Sequence, residues 1–190
     1  MKKFFLITIL IISSSFLFAE GDKFFTTEAS LGTGISIYDS SADEARKNLL
    51  SEKGYKRIIL GLTLDTNLNI SDPLKIMIGT ELFSDFLWKS SDHYNSLDYS
   101  FFTGIKIFPN STGLNFSISY VLGNRSDFFT EAPKKQTQSW GNGFRLSIQY
   151  DFMQDREYKV KPNVGAYYRC VPRGDYNTDH ILCLYGGIRF

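Results

Sequence analysis

The 190-residue chain has little of what catalytic and metal-binding sites are usually built from. It offers two histidines and two cysteines, and no metal-ligand set and no cofactor site is read from them. Lys and Arg number 21 against 20 Asp and Glu, so the basic excess that marks a nucleic-acid partner is absent. Beyond residue 19 no apolar run reaches 18 residues, which excludes a transmembrane helix. A chain of this kind that crosses a bilayer does so as a closed barrel, because every backbone polar group must be paired within hydrocarbon. No second domain, linker, low-complexity tract or long helical pattern interrupts it.

What is present begins with residues 1–19. Met1-Lys2-Lys3, the apolar run Phe4 to Ile12 and the small Ala19 before Glu20 read as a cleaved secretory signal peptide. Leu17 stands where a smaller residue is usual, and no cysteine near Ala19 offers a lipid attachment point. Residues 20–190 then form one domain with 19 basic residues, 21 less Lys2 and Lys3, against 20 acidic ones. The chain's 17 Phe and 11 Tyr are many for that length.

The domain alternates with a period of two, so that one face of each segment is apolar and the other polar. In strand one, Phe25, Ala29, Leu31, Ile35 and Ile37 oppose Thr26, Glu28, Ser30, Gly32, Gly34 and Ser36. Strand two sets Ile58, Leu60, Leu62, Leu64 and Leu68 against Gly61, Thr63, Asp65 and Asn67, and turns at Ser71-Asp72-Pro73. Strand three sets Leu74, Ile76, Ile78, Leu82, Phe86 and Trp88 against Lys75, Gly79, Glu81 and Asp85. Strand four opposes Tyr99, Phe101, Ile105 and Ile107 to Ser100, Gly104 and Lys106. Strand five opposes Phe116, Ile118, Tyr120 and Leu122 to Asn115, Ser117, Ser119 and Arg125. Strand six opposes Trp140, Phe144, Leu146, Ile148, Tyr150 and Phe152 to Gly143, Arg145, Ser147, Gln149 and Asp151. Strand seven opposes Tyr158, Val160, Val164, Ala166 and Tyr168 to Lys161, Asn163, Gly165 and Arg169. The last segment, His180 to Phe190, puts Leu182, Leu184, Ile188 and Phe190 opposite Cys183, Tyr185, Gly187 and Arg189.

Connections of three to five residues alternate with longer ones at about 39–56, 89–98, 126–139 and 171–179. An even strand count, with tight turns at one end and long loops at the other, resembles the bacterial outer-membrane β-barrels, both termini periplasmic. The final strand, ending on an aromatic carboxy-terminal residue, resembles theirs as well. That resemblance implies that Phe190 is the signal read by the barrel-assembly machinery. The expected fold class is all-β: an eight-stranded antiparallel up-and-down transmembrane barrel, located in the outer membrane, monomeric and in contact with its lipid.

Energy decides which face meets lipid. Ten of the fifteen glycines lie on the polar face, where they make room inside a narrow barrel. The apolar face carries aromatics near strand ends, Trp88, Tyr99, Tyr120, Trp140 and Tyr168 toward the loops and Tyr150, Phe152 and Tyr158 toward the turns, as in two interfacial girdles. Lys106, Arg125, Arg145 and Arg169 facing lipid would each cost roughly 2–4 kcal/mol near the midplane. A soluble lipocalin-like barrel, apolar inside, is the opposing arrangement.

The expected lumen filling is a network of Glu28, Asp65, Glu81 and Asp85 with Lys106, Arg145 and Arg169, because a buried charge needs an opposite partner. A polar plug is the leading expectation, and a gated pore for ions or small solutes the alternative. Cys170 and Cys183 flank the last loop. A disulfide pinning it and two free thiols both stay open, since alternation puts Cys170 toward lipid and Cys183 toward the lumen and a bridge needs a bulge. His93 with Asp92 and Ser96 has the residue types of a nucleophilic site, but no strand-borne deacylase or palmitoyltransferase motif accompanies them. Ser41 to Glu44 reads as a capping box before a short helix over 45–53 stopped by Gly54. The class most resembled is that of the OmpA transmembrane domain and OmpX: non-enzymatic, acting in envelope structure or in contact with host surface molecules through the loops. An OmpW-like channel is the alternative, and a lipid A-modifying enzyme is a third.

Overall fold

The structure is a computed structural model that describes residues 24–38, 41–52, 54–71, 73–90, 92–109, 113–130, 136–152, 160–174 and 178–190. Residues 1–19 lie outside these, as do Tyr158 and the turn at Gln154-Asp155. The chain runs β1 (Phe25–Tyr38), α1 (Ser41–Ser51), β2 (Lys56–Ser71), β3 (Leu74–Lys89), β4 (Asp92–Ile107), β5 (Leu114–Phe129), a two-residue β6 (Gln136–Thr137), β7 (Gly141–Asp151), β8 (Lys161–Pro172) and β9 (Thr178–Arg189). Each long strand pairs antiparallel with its neighbours, and β1 closes on β9, giving an eight-stranded barrel with β6 appended to β5. At the seam Phe190 N donates to Thr27 O at 2.8 Å.

The alternation predicts the wall. Ile78 is 64 % exposed and Leu184 65 %, whereas Arg169 is fully buried and Lys106 is 1 % exposed. The apolar face therefore points out and the charges point in, the arrangement of a barrel dissolved in lipid and the reverse of a lipocalin. Gly104 and Gly143 show how closely the strands approach. A Cβ on Gly143 would sit 1.9 Å from the Cys170 carbonyl oxygen, and one on Gly104 2.1 Å from that of Ile118.

Two expectations about connections are corrected. Residues 89–98 are not a long loop: β3 and β4 pair continuously as far as Lys89↔Asp92, with Ser90 beyond the end of β3 at φ 53°. Likewise β5 runs to Phe129, six residues past its last pair with β7 at Gly123↔Gly141. With a rise of about 3.3 Å per residue and the usual barrel tilt, β3, β4 and β5 rise roughly 15 Å above the β7 end. On these raised ends the outer face carries His93 and Asn95, so it no longer stays apolar and the period-two signal fades. Helix α1 starts at the predicted capping box but ends at Ser51, earlier than Lys53; Gly54 follows at φ 101°.

Candidate functional site

Among the described residues, buried polar and charged side chains project into the lumen from the turn end to the outer mouth. At the turn end, Lys106 Nζ donates to both Glu28 oxygens at 2.9 Å, and Gln149 Nε2 donates to Glu28 Oε2 at 3.0 Å and to Asp151 Oδ1 at 2.6 Å. Asp151 is also the partner of Arg189. Tyr185 OH donates to Gln149 Oε1 at 3.0 Å, and Asp65 accepts from Asn67 at 2.7 Å. A cavity of about 10 Å³ lies between Glu28, Asp65, Lys106, Arg145, Gln149 and Tyr185, which is room for a single water.

At mid-height, Glu81 lies 3.1 Å from Arg169 Nη1 and 3.5 Å from Arg145 Nε. These are contacts of charge without aligned hydrogen bonds. Arg145 packs over the rings of Tyr167 at 4.2 Å and Phe102 at 4.7 Å, a further source of attraction for the guanidinium. Arg169 continues upward to Asp98 at 2.7 Å, Asp98 to Arg173 at 3.0 Å, Arg173 to Asp179, Asp179 to Arg125, and Arg125 to Asp127 at 3.2 Å. Signs alternate along this ladder, so each buried charge has an opposite neighbour, the condition for tolerating it.

Helix α1 reaches the outer mouth through Arg46. Arg46 reaches from the helix to Asp85 at 3.0 Å and donates to Ser36 Oγ at 2.8 Å; Arg57 forms a two-pronged contact with the same Asp85, at 2.8 and 2.6 Å. Tyr38 lies between the guanidinium groups of Arg46 and Arg125, 5.1 and 4.3 Å from its ring centre.

All seven predicted lumen charges face the interior. They form three groups: Glu28, Asp65 and Lys106 near the turns, Glu81, Arg145 and Arg169 in the middle, and Asp85 at the mouth. Sequence reasoning missed Arg46, Asp98, Asp127, Arg173 and Asp179, which lie in stretches read as loops. Asp98 was recoverable, since it shares parity with Ser100 and Lys106. Apolar lumen residues were also missed: Met77, Phe83, Phe102, Val121 and Ile181 are buried among the charges.

Outside, Tyr99 packs edge-on against Trp140 at 5.6 Å, Phe144 against Tyr168 at 6.0 Å and Tyr150 against Phe152 at 5.1 Å. Trp88 stacks on Phe86 at 5.5 Å, and Tyr120 stands beside Phe144 in the register. No protein-family model matches the chain, and no curated protein does. Solved structures do match. The crystal structure of Ail, the attachment invasion locus protein of Yersinia pestis, in complex with the heparin analogue sucrose octasulfate, gives a TM-score of 0.55 at 14% identity, covering 87% of this chain and 99% of that one. Neisserial surface protein A gives 0.54 at 13% identity, covering 90% and 98%. The fold is that of a small outer-membrane β-barrel.

Other sequence-level candidates do not assemble on this barrel. His93 is on strand β4, not on a loop, and points outward, its Nδ1 2.9 Å from Thr130 Oγ1. Ser96 points inward and donates to Asp127 Oδ1 at 2.8 Å. Opposite faces of one strand cannot bring a nucleophile and base together, so His93 and Ser96 do not form a site. Cys170 and Cys183 are unbridged. Cys170 lies opposite His180 on the outer face and Cys183 opposite Tyr167 on the inner face, so they are three rungs and one barrel wall apart. Among the described residues no cluster of three or more His, Cys, Asp and Glu could hold a metal ion.

Proposed function

We propose that this chain is a sealed, non-enzymatic outer-membrane barrel that acts through its outer surface. The observation that carries the reading is the row of buried lumen ion pairs from Arg145 and Glu81 to Asp127, with the Glu28–Lys106 pair toward the turns and the Arg46–Asp85 pair at the mouth. What remains to interact is the outer end: α1 and the raised β3–β4–β5 edge. Ail, of like fold, is bound to a heparin analogue. The outer end here exposes Lys47 and Lys56, so a sulfated or otherwise anionic host-surface polysaccharide is the class of contact favoured.

Export by residues 1–19, assembly directed by Phe190 and a monomeric state complete the proposal. A planar lipid bilayer loaded with purified protein should show no steady conductance, and cells displaying the protein should adhere to a heparin-coated surface. Replacing residues 41–51 by a Gly-Ser linker should abolish that adhesion while the barrel still assembles. Steady conductance rules out the sealed barrel, and adhesion that survives the replacement rules out α1 as the contact.

A further inference from the structure

The ladder between β1 and β2 ends early. The two strands pair rung by rung from Phe25↔Leu68 to Gly32↔Gly61 and no further. Above that rung each keeps only its other neighbour: β1 stays on β9 as far as Tyr38↔Asp179, and β2 stays on β3 as far as Lys56↔Trp88. Residues 33–38 and 56–60 are therefore two strand edges that flank a cleft without a shared ladder. One side chain spans its lower end, Thr33 Oγ1 donating to the Ile59 carbonyl oxygen at 2.8 Å.

The direction of the backbone groups along these edges follows from bonds lower down. Successive residues of a strand offer N–H and C=O to alternate sides. Thr27 exchanges both its bonds with Phe190 on the β9 side, so Gly34 and Ser36, of the other parity, offer theirs to the cleft. On β2, Asn69 donates to the Phe24 carbonyl oxygen on the β1 side, and Ile59 shares its parity. The N–H groups of Gly34, Ser36 and Ile59 thus converge on one gap in the wall. Backbone donors in contact with lipid need a polar partner.

Position and charge narrow what that partner is. Ile35, Ile37, Ile58 and Leu60, on the outer face beside the cleft, are exposed as lipid-facing side chains are. Lys56, also exposed, stands at the upper end as the cross-strand partner of Trp88, a residue of the outer aromatic girdle that marks the lipid–water boundary. Behind the cleft, Arg57 and Arg46 share the Asp85 carboxylate at 2.6 and 3.0 Å. With Lys56, three positive charges stand against the one negative charge of Asp85. Glu52, just after α1, lies 3.6 Å from Lys89 on β3.

We propose that the β1–β2 cleft holds the phosphate of an outer-leaflet lipid. Its oxygens accept from the Gly34, Ser36 and Ile59 N–H groups, Lys56 supplies the countercharge, and the acyl chains run down over Ile58 and Leu60. Charge-assisted bonds of this kind are the strong ones.

The test places full-length mature protein in nanodiscs of a neutral galactolipid, with or without phosphatidylglycerol of the same acyl chains. Amide hydrogen exchange is then followed by mass spectrometry over residues 33–38 and 56–60. Phosphatidylglycerol should slow exchange there at least about tenfold, the scale of one hydrogen bond to a charged group, and leave the β8–β9 ladder unchanged. Lys56→Gln, an exposed change that leaves the barrel intact, should remove most of that protection, and Lys47→Gln on α1 should keep it. Inorganic phosphate added to the galactolipid discs should not replace the lipid. No polysaccharide is present, so the outcome is independent of the proposed surface contact. Slow exchange in both discs would mean that the two edges bond each other, and fast exchange in both that water alone fills the cleft. Either result overturns the proposal, as does protection by inorganic phosphate alone or protection that survives Lys56→Gln.

Discussion

Lys106 and Glu28 hold each other across the lumen at 2.9 Å with both side chains almost wholly buried, and their worth is measured best by removing one. Lys106→Ala leaves a buried carboxylate without its cation and should destabilise the barrel by about 3–5 kcal/mol, seen as a lower urea midpoint for unfolding from lipid vesicles. Replacing both by apolar residues of similar volume should recover most of that loss, because the pair's own desolvation then disappears as well. Glycine gives a second contrast. Gly143→Ala meets a carbonyl oxygen at 1.9 Å and should weaken assembly, whereas Gly186→Ala, on the outer face with its nearest atom at 3.9 Å, should be tolerated. Unchanged assembly in Gly143→Ala would show that the strands can spread. At this scale the charged lumen was legible, since parity plus the penalty for a charge in lipid fixes where Arg169 points. Phe83 and Met77 were not legible, because nothing forbids an apolar side chain on either face of such a wall.

Strands and helix carry the next set of effects. The lower halves of the strands could be read from alternation, while the upper halves of β3, β4 and β5 could not. At the upper end of β4, Asn95 and His93 stand on the outer face where Ile105 and Phe101 stand lower down, so one parity no longer stays apolar. Helix α1 is tied to the mouth chiefly through Asp85, which serves Arg46, Arg57 and Ser36 together. Asp85→Asn should release it, and limited proteolysis of folded protein in nanodiscs should then cut within residues 39–55 several times faster while the barrel core stays protected. Equal cleavage rates would mean that other contacts hold the helix. Ser90 turns the β3–β4 hairpin with positive φ, a conformation that costs a non-glycine residue roughly 1–2 kcal/mol. Ser90→Gly should therefore raise the unfolding midpoint slightly.

The whole molecule is an inside-out solution to solubility, with its oily side chains on the surface and its ions within. Ile118 is 52 % exposed in the middle of the wall; Ile118→Lys should lower stability by roughly 2–4 kcal/mol in vesicles. The same substitution in a barrel soluble in water would be nearly neutral, so this single measurement distinguishes the two environments. Fold class and orientation were legible because eight segments repeated one pattern. The mouth was not, since its closure joins α1 to residues far away in sequence, and no local period reports such contacts.

Phe190 and Thr27 clasp one another across the seam between the last strand and the first. Until they meet, the sheet has an open flank, and a half-rolled sheet in oil would lay its guanidinium and carboxylate groups bare. Shielding those groups from hydrocarbon therefore requires the seam to be shut, so rolling and sinking into the bilayer are coupled.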